Sequence, residues 1–389
     1  MRLRITRAKM ISIFVLLPLA AVGAYGIGRY LWFRHHCRAA QQALEQRDFR
    51  RASDYLNHGL DVWPTDPSVR ILAAQLARRQ GDFGQARRHL KAHWQHNGSA
   101  EERDGEVQLL SIQEGDERQA AEAFARCTGA SGGPESHLLL EAIIEADTAR
   151  LFQAYHLGAA TLDGEAGMWR TRAEKALDMW RQQRRGKADQ VQAFFWEGKI
   201  QFVVDKQEAT ATFRKGLELD PGHTEMRLHL ALTLTDYHAK EASRHLEILH
   251  RRDPKDTQAA VALASTLRGL GQLRDSQMIL DQVLTANPDH VHALLERSKT
   301  ALDAGRPDEA EPFLRRALTH SPRDSFVHLG LSRCLQLAGR GAEARYHEKL
   351  YSEIESERRQ NQRLREEEAR AAWRKRLEQE RASGSENNP

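Results

Sequence analysis

Apolar and small residues recur along this chain at helical intervals, in one repeating arrangement. A small residue is followed four positions on by a large apolar one, and three further by a third member: Ala52, Leu56, Gly59; Ala86, Leu90, His93; Ala120, Phe124, Cys127; Ala209, Phe213, Gly216; Ala242, Leu246, Leu249; Ser276, Leu280, Val283; Ala310, Leu314, Ala317. Positions i, i+4 and i+7 lie on one face of an α-helix, so each set predicts a helix with a buried stripe. The small residues are spaced 34, 34, 89, 33, 34, 34 and 34 from Ala52 to Ala344. A turn signal precedes many of them, at Asp48-Phe49, Gly81-Asp82-Phe83, Gly115-Asp116, Gly271, Gly305 and Gly339. A proline stands twelve residues after five of them, at Pro64, Pro221, Pro254, Pro288 and Pro322. The glycine suits the end of a first helix, because it takes a positive φ at little cost. The proline cannot continue a second helix. The period therefore predicts helix–turn–helix units. In the gap of 89, Ala173, Leu177 and Trp180 keep the same offsets, which brings the number of second helices to about nine.

The segments GDFGQARRHLKAH, GQLRDSQMILDQVLTANP and GRPDEAEPFLRRALTHSP carry the alanine, leucine or aromatic, alanine and proline positions of a known repeat. Over roughly residues 34–356 the chain resembles the tetratricopeptide repeat family. The resemblance implies an all-α, right-handed superhelix whose first helices line a concave groove, with ligand contacts from their second, fifth, ninth and twelfth positions. In the last four clear repeats these are Glu225, Gln258, His292 and Phe326; Leu228, Val261, Leu295 and Leu329; Leu232, Ser265, Lys299 and Arg333; and Arg268 and Gln336. The groove candidates are thus Leu228, Val261, Arg268, His292, Leu295, Lys299, Phe326, Leu329 and Arg333. They suit an extended or helical peptide with apolar anchors and some acidic character. The lysine, asparagine and arginine pattern of the family's carboxylate clamp is absent. The alternative is that the aliphatic ladder packs between helices.

Residues 10–28 carry no charge, and Tyr30, Trp32 and Phe33 follow among Arg29 and Arg34. That length spans a bilayer as a helix, and aromatics beside arginines suit its interface. The expectation is an uncleaved transmembrane anchor over 10–33, with the N-terminus cytoplasmic and the repeats outside. A signal peptide cleaved near Val22-Gly23-Ala24 and a buried helix are the competing readings. The expected order is a basic tail over 1–9, the anchor, repeats over 34–132, an irregular region over 133–187, repeats over 188–356, and a charged helix with a disordered tail over 357–389. Residues 352–386 carry nine acidic and nine basic side chains, which favours a solvated helix laced by i, i+4 pairs.

Composition narrows the chemistry. The 389 residues are 40% hydrophobic and 29% charged, with a net charge of +4, which names no polyanionic partner. Cys37, Cys127 and Cys334 are far apart, and no CxxC occurs to build a zinc or redox centre. Walker, GxGxxG, GxSxG and HExxH motifs are missing. His89, His93 and His96 share a helix face, and His35-His36 adjoins Cys37, but neither set includes enough ligands for a metal site. Arg170, Arg172, Lys175, Arg181, Arg184, Arg185 and Lys187 surround Trp169 and Trp180. A solvated amphipathic face explains that stretch better than nucleic acid or anionic lipid.

The expectation is a membrane-anchored scaffold that binds protein or peptide partners in its groove, with no catalysis, cofactor or metal and no nucleic acid. One alternative is a regulator of envelope assembly or proteolysis. The chain resembles the lipopolysaccharide assembly protein B family in having an N-terminal span before such repeats, though it lacks that family's four-cysteine module. The other alternative is an enzyme subunit with its site in the irregular 133–187 region.

Overall fold

The computed structural model describes residues 28–129, 136–156 and 165–385, and these contain helices and no strand. The chain divides into two compact units, residues 1–146 and 147–389. Unit 1 contains α1 (28–45), α2 (Phe49–Val62), α3 (Pro67–Arg79), α4 (Phe83–Gln95), α5 (Ala100–Glu114), α6 (Glu117–Gly129) and the first half of α7 (Ser136–His156). Unit 2 takes the rest of α7, then α8 (Glu165–Gln183), α9 (Lys187–Val204), α10 (Lys206–Leu219), α11 (Thr224–Leu234) and α12 (Ala239–Arg252). It continues with α13 (Thr257–Gly269), α14 (Leu273–Ala286), α15 (Val291–Asp303), α16 (Pro307–His320), α17 (Ser325–Leu337) and α18 (Gly341–Ser385).

The nine small residues stand on α2, α4, α6, α8, α10, α12, α14, α16 and α18, and each is at most 1% exposed. A larger side chain at these points would push the second helix off its first. The apolar residues four positions on pack beside them, with Leu246, Leu280 and Leu314 fully buried. Each such side chain contributes about 1.5–3 kcal/mol of burial. In unit 2, Leu246, Leu249, Leu263, Leu280 and Ala293 form one core cluster, and Leu295, Leu314, Val327, Leu331 and Ala344 belong to the next. In unit 1, α1, α2 and α3 share Phe33, Leu44, Leu56, Val69 and Leu76.

The turn glycines Gly81, Gly115, Gly271, Gly305 and Gly339 have φ between 72° and 107°, where a Cβ is strained. In the first turn Arg47 holds that conformation at φ 58°. Aspartates then cap the next helices: Asp48 accepts from the Arg51 amide, Asp82 from Gln85 and Asp116 from Gln119. Where a proline follows a second helix, the helix stops two residues before it, as at Val62, Leu219, Arg252, Ala286 and His320. Around the 89-residue gap the helices lengthen to 21 residues in α7, 19 in α8 and 18 in α9.

The membrane placement needs correction. No helix among the described residues is long and apolar enough to cross a membrane, which overturns the expected single-pass localisation. Most of the expected anchor, residues 10–27, lies outside the described residues, as does the basic tail. Its end is described, and there Phe33 belongs to the first repeat while Tyr30 and Trp32 are exposed. Phe33 is buried in the α1–α2–α3 core, 4.6 Å from the Trp63 ring, and the Arg29 guanidinium lies 5.1 Å from the same ring. An amphipathic helix and a membrane interface both call for aromatics among arginines, so composition could not separate them. At the other end, α18 runs through Ser385, so residues 383–385 of the expected disordered tail are helical and 386–389 lie outside the described residues.

Candidate functional site

In unit 2 the first helices α13, α15 and α17 follow one another at the repeat period and turn equivalent faces to one side. Their inner faces are committed to the core by Ala259, Ala260, Leu263, Leu294 and Leu331. The opposite positions line a cavity of about 680 Å³. From α13 come Gln258, Val261 and Ser265; from α15 His292, Leu295 and Lys299; from α17 Phe326. Thr257, His290 and Asp324 form its edge at the helix N-termini. Phe326 is 55% exposed and Leu329, one turn along α17, is 43% exposed, so neither is spent on the core. Leu295 is 6% exposed and serves both the core and the cavity wall.

Behind the apolar part runs a ladder of alternating charge. Lys299 Nζ donates to Glu296 at 2.7 Å, and Arg268 reaches Glu296 at 3.3 Å and Asp303 at 2.8 Å. Arg333 approaches Asp303 at 3.8 Å. Burial alone would raise the Glu296 carboxyl, but the Lys299 hydrogen bond and the charges of Lys299 and Arg268 hold it below the usual carboxylate range. Burial likewise opposes the Arg268 charge, and Asp303 and Glu296 more than offset it. Lys299 and Arg268 are therefore bound to carboxylates within the groove.

The structure thus brings Val261, His292, Leu295, Lys299 and Phe326 into one cavity, with Leu329, Arg268 and Arg333 beside it. Leu228 departs from this set. It is 7% exposed and packs with Ala231, Leu246 and Leu249 in the core. Its helix meets an internal aromatic cluster in which Lys199 Nζ lies 5.5 Å from the Phe152 ring and 5.3 Å from that of Phe195. Burial and Lys199 push His229 there down to about 4. Sequence reasoning missed Glu296, His290 and Asp324. Glu296 falls between ladder positions, and the other two are helix caps whose reach into the cavity depends on neighbouring repeats.

Unit 1 has its own cavity, of about 900 Å³, lined by α1, α3, α5 and the start of α7 at Leu138 and Leu139. It adjoins a buried charge cluster. Arg78 pairs with Glu106 at 2.9 Å, while Glu141 of α7 takes Arg47 at 2.8 Å and Arg79 at 3.8 Å. Burial opposes the Glu141 charge, but Arg47, Arg79 and Arg78 keep it below the usual range. Burial and the Glu141 charge push Glu145, hydrogen-bonded by Gln113, up to about 7. These polar residues hold the unit together.

The other candidate residues have structural partners. His93 is fully buried, with one ring nitrogen 2.9 Å from the Pro67 carbonyl and the other 3.1 Å from that of Ser99. Arg70 donates to His89. No group of three metal-ligating side chains occurs among the described residues. Within the basic stretch, Arg172 donates twice to buried Asp147 at 2.6 Å. Arg170, Arg181 and Arg184 pair with Glu174, Glu197 and Asp189. Cys127 and Cys334 are buried, and burial raises both thiols.

The family comparison agrees with the repeat architecture. Residues 25–95, 261–326 and 300–354 match the family model described as tetratricopeptide repeat. No curated protein matches the chain. Among solved structures, MamA MSR-1 is 21% identical with a TM-score of 0.36, over 43% of this chain and 97% of its own. MamA from Desulfovibrio magneticus RS-1 is 13% identical with a TM-score of 0.40, over 44% and 98%. Residues 25–95 and 261–354 carry tetratricopeptide repeats, and the paired helices keep the same 33–34-residue period.

Proposed function

We propose that the chain is a non-catalytic scaffold that binds a segment of a protein partner in the groove of α13, α15 and α17. The observation that carries this reading is the exposure of Phe326 and Leu329 beside a cavity shared by three consecutive repeats. An exposed aromatic next to a concave apolar wall is the usual anchor of a peptide side chain. Because the groove's charge ladder is largely self-neutralised, the segment it suits is apolar and near neutral. An acidic tail would have to compete with Glu296 and Asp303 for their cations.

The test is selection of peptides from a random library on the full chain, followed by the substitutions Phe326→Ala and Leu329→Ala. The expected outcome is saturable binding that falls about tenfold or more in the double variant, the loss of one to two anchor contacts. Thermal unfolding should change little, since both side chains are exposed. Peptides that bind the double variant as tightly as the parent would refute the assignment.

A further inference from the structure

We propose that the cavity of unit 1 is a second ligand site, which takes a peptide segment of mixed charge, with carboxylates against α1 and a cation against α5. The proposal does not depend on the groove of α13, α15 and α17. It adds a partner of different chemistry, held by the other unit.

Three consecutive first helices, α1, α3 and α5, build most of this cavity. Its charges fall on the two outer walls, and the repeat period sets them in opposition. Arg34 and Arg38 of α1 stand one turn apart, and two periods later their counterparts on α5 are Glu102 and Glu106. Between the walls α3 contributes Ser68, Ile71, Leu72 and Gln75, which carry no charge. The carboxylate of Asp66 also lines the cavity, but it caps α3 by accepting from the amides of Ser68 and Val69. Ile71 and Leu109, each 6% exposed, give the cavity an apolar floor.

Unlike the cations of the unit 2 groove, those of α1 have no carboxylate. Arg34 and Arg38 are exposed, and neither forms an ion pair among the described residues. Arg34 lies 5.8 Å from the Tyr30 ring, which is itself 54% exposed at the cavity's edge. On α5, Glu106 is committed to Arg78 at 2.9 Å. Glu101 has no ion pair among the described residues, and Glu102 comes within 3.9 Å of the His93 ring alone. Arg126 of α6 also lines the cavity and offsets one of these two charges. Arginines without a partner are the side chains best shaped to take carboxylates, by paired N–H groups. Opposite charge on facing walls also sets the direction of the ligand, because the reversed segment would bring like charges together. A concave cavity of about 900 Å³ with an apolar floor suits a peptide rather than a flat bilayer.

The test selects peptides on the full chain, at low salt, from a random library without cysteine. Occupancy of this cavity is read from Cys37, which lines it and is half-buried, whereas Cys127 and Cys334 are buried. Burial and then Asp66 push the Cys37 thiol up to about 11, so its alkylation is followed in mild alkali. We expect peptides that slow this alkylation and that carry Asp or Glu toward one end and Lys or Arg toward the other. Their affinity should fall about tenfold between about 0.05 and 0.3 M salt, because exposed charges are screened. It should fall about tenfold in the double variant Arg34→Glu with Arg38→Glu, and return when the acidic residues of the peptide are exchanged for lysine. Glu101→Lys with Glu102→Lys gives the same readout from the other wall. Both variants should keep the parent's thermal unfolding, since the four side chains are exposed. The same residues in reverse order should bind more weakly. Failure to select any peptide that protects Cys37, or protecting peptides indifferent to both charge exchanges, would overturn the proposal. Protection by anionic phospholipid vesicles and by no peptide would overturn it as well. Peptides that protect Cys37 should be indifferent to Phe326→Ala and Leu329→Ala, so the two sites fail separately.

Discussion

At the scale of single residues, unit 1 keeps a strained residue where a glycine would be relaxed. Arg47 occupies the turn position that Gly81 and Gly115 occupy in the next repeats, and a non-glycine there costs about 1 kcal/mol. It is held by the carboxylate of Glu141, whose side chain is 5% exposed. Arg47→Gly should therefore destabilise unit 1 by about 3 kcal/mol despite relieving the backbone, because it strips a partner from a buried charge. Adding Glu141→Gln should recover part of that loss in urea unfolding. Glu145 offers a second prediction. Its folded-state proton is held up to about 7, well above an ordinary glutamate. Stability from that site is present at acid pH and declines as pH rises toward 7, because the unfolded chain has already released its proton. Glu145→Gln should flatten that decline. Residue His229 works in the opposite sense: pushed down to about 4, it favours the fold above about pH 6.5 and withdraws that support as pH falls toward 4. Curves of stability against pH for Glu145→Gln and His229→Gln would separate the two.

At the scale of elements, close approach between paired helices decides what each position tolerates. Gly198 on α9 faces Phe213 on α10, and a Cβ built there would lie 2.4 Å from the phenyl ring. Phe213 is fully buried, so the ring has no free direction in which to move. Gly198→Ala should destabilise unit 2 by about 1–3 kcal/mol through overpacking, measured by denaturant unfolding. Alanine's better helix propensity gives back less than that. The link between these two helices also explains a missing turn signal. Asp205 alone separates them, and its carboxylate accepts from the amides of Gln207 and Glu208. A cap replaces the glycine turn, so the usual Gly-Asp pattern is not needed before Ala209. Helix α18 spans 45 residues, about 68 Å at the α-helical rise. Beyond residue 356 the contact of Arg323 with Glu357 is exposed, and Arg358, paired with half-buried Glu355, is itself exposed. Deleting 357–389 should leave the unfolding midpoint of the remaining array nearly unchanged, since exposed pairs contribute little.

At the scale of the whole molecule, the proposed function rests on a surface shared by several repeats. A peptide seated on Phe326, Leu329 and Val261 gains mostly from apolar burial, while Glu296 and Asp303 already neutralise the groove's cations. Its affinity should respond only weakly to salt between about 0.05 and 0.3 M, because few unpaired charges remain to be screened. A steep fall of affinity with salt would mean that the ligand displaces the internal carboxylates. Much of the candidate site was legible in the sequence, since ligand positions recur in each first helix. Val261, His292, Leu295, Lys299 and Phe326 do line one cavity. Leu228 was misread because the periodic pattern places it on the groove face, whereas packing against Leu246 and Leu249 turns it into the core.

The sequence by itself determined the helical class, the period and the nine second helices. Those features depend on small residues, turn glycines and prolines acting over a few neighbouring positions, and each signal recurs often enough to be recognised. The tertiary structure alone decided which side of α1 the aromatics occupy, and Phe33 beside Trp63 shows that part of the apparent interface belt is repeat core. It alone decided that the groove's charges neutralise one another, since Arg268 meets Asp303 across 35 positions. It alone brought His328 against His347 and Arg47 against Glu141. Such contacts join residues that belong to different helices, and a local periodic pattern contains no information about which faces will meet.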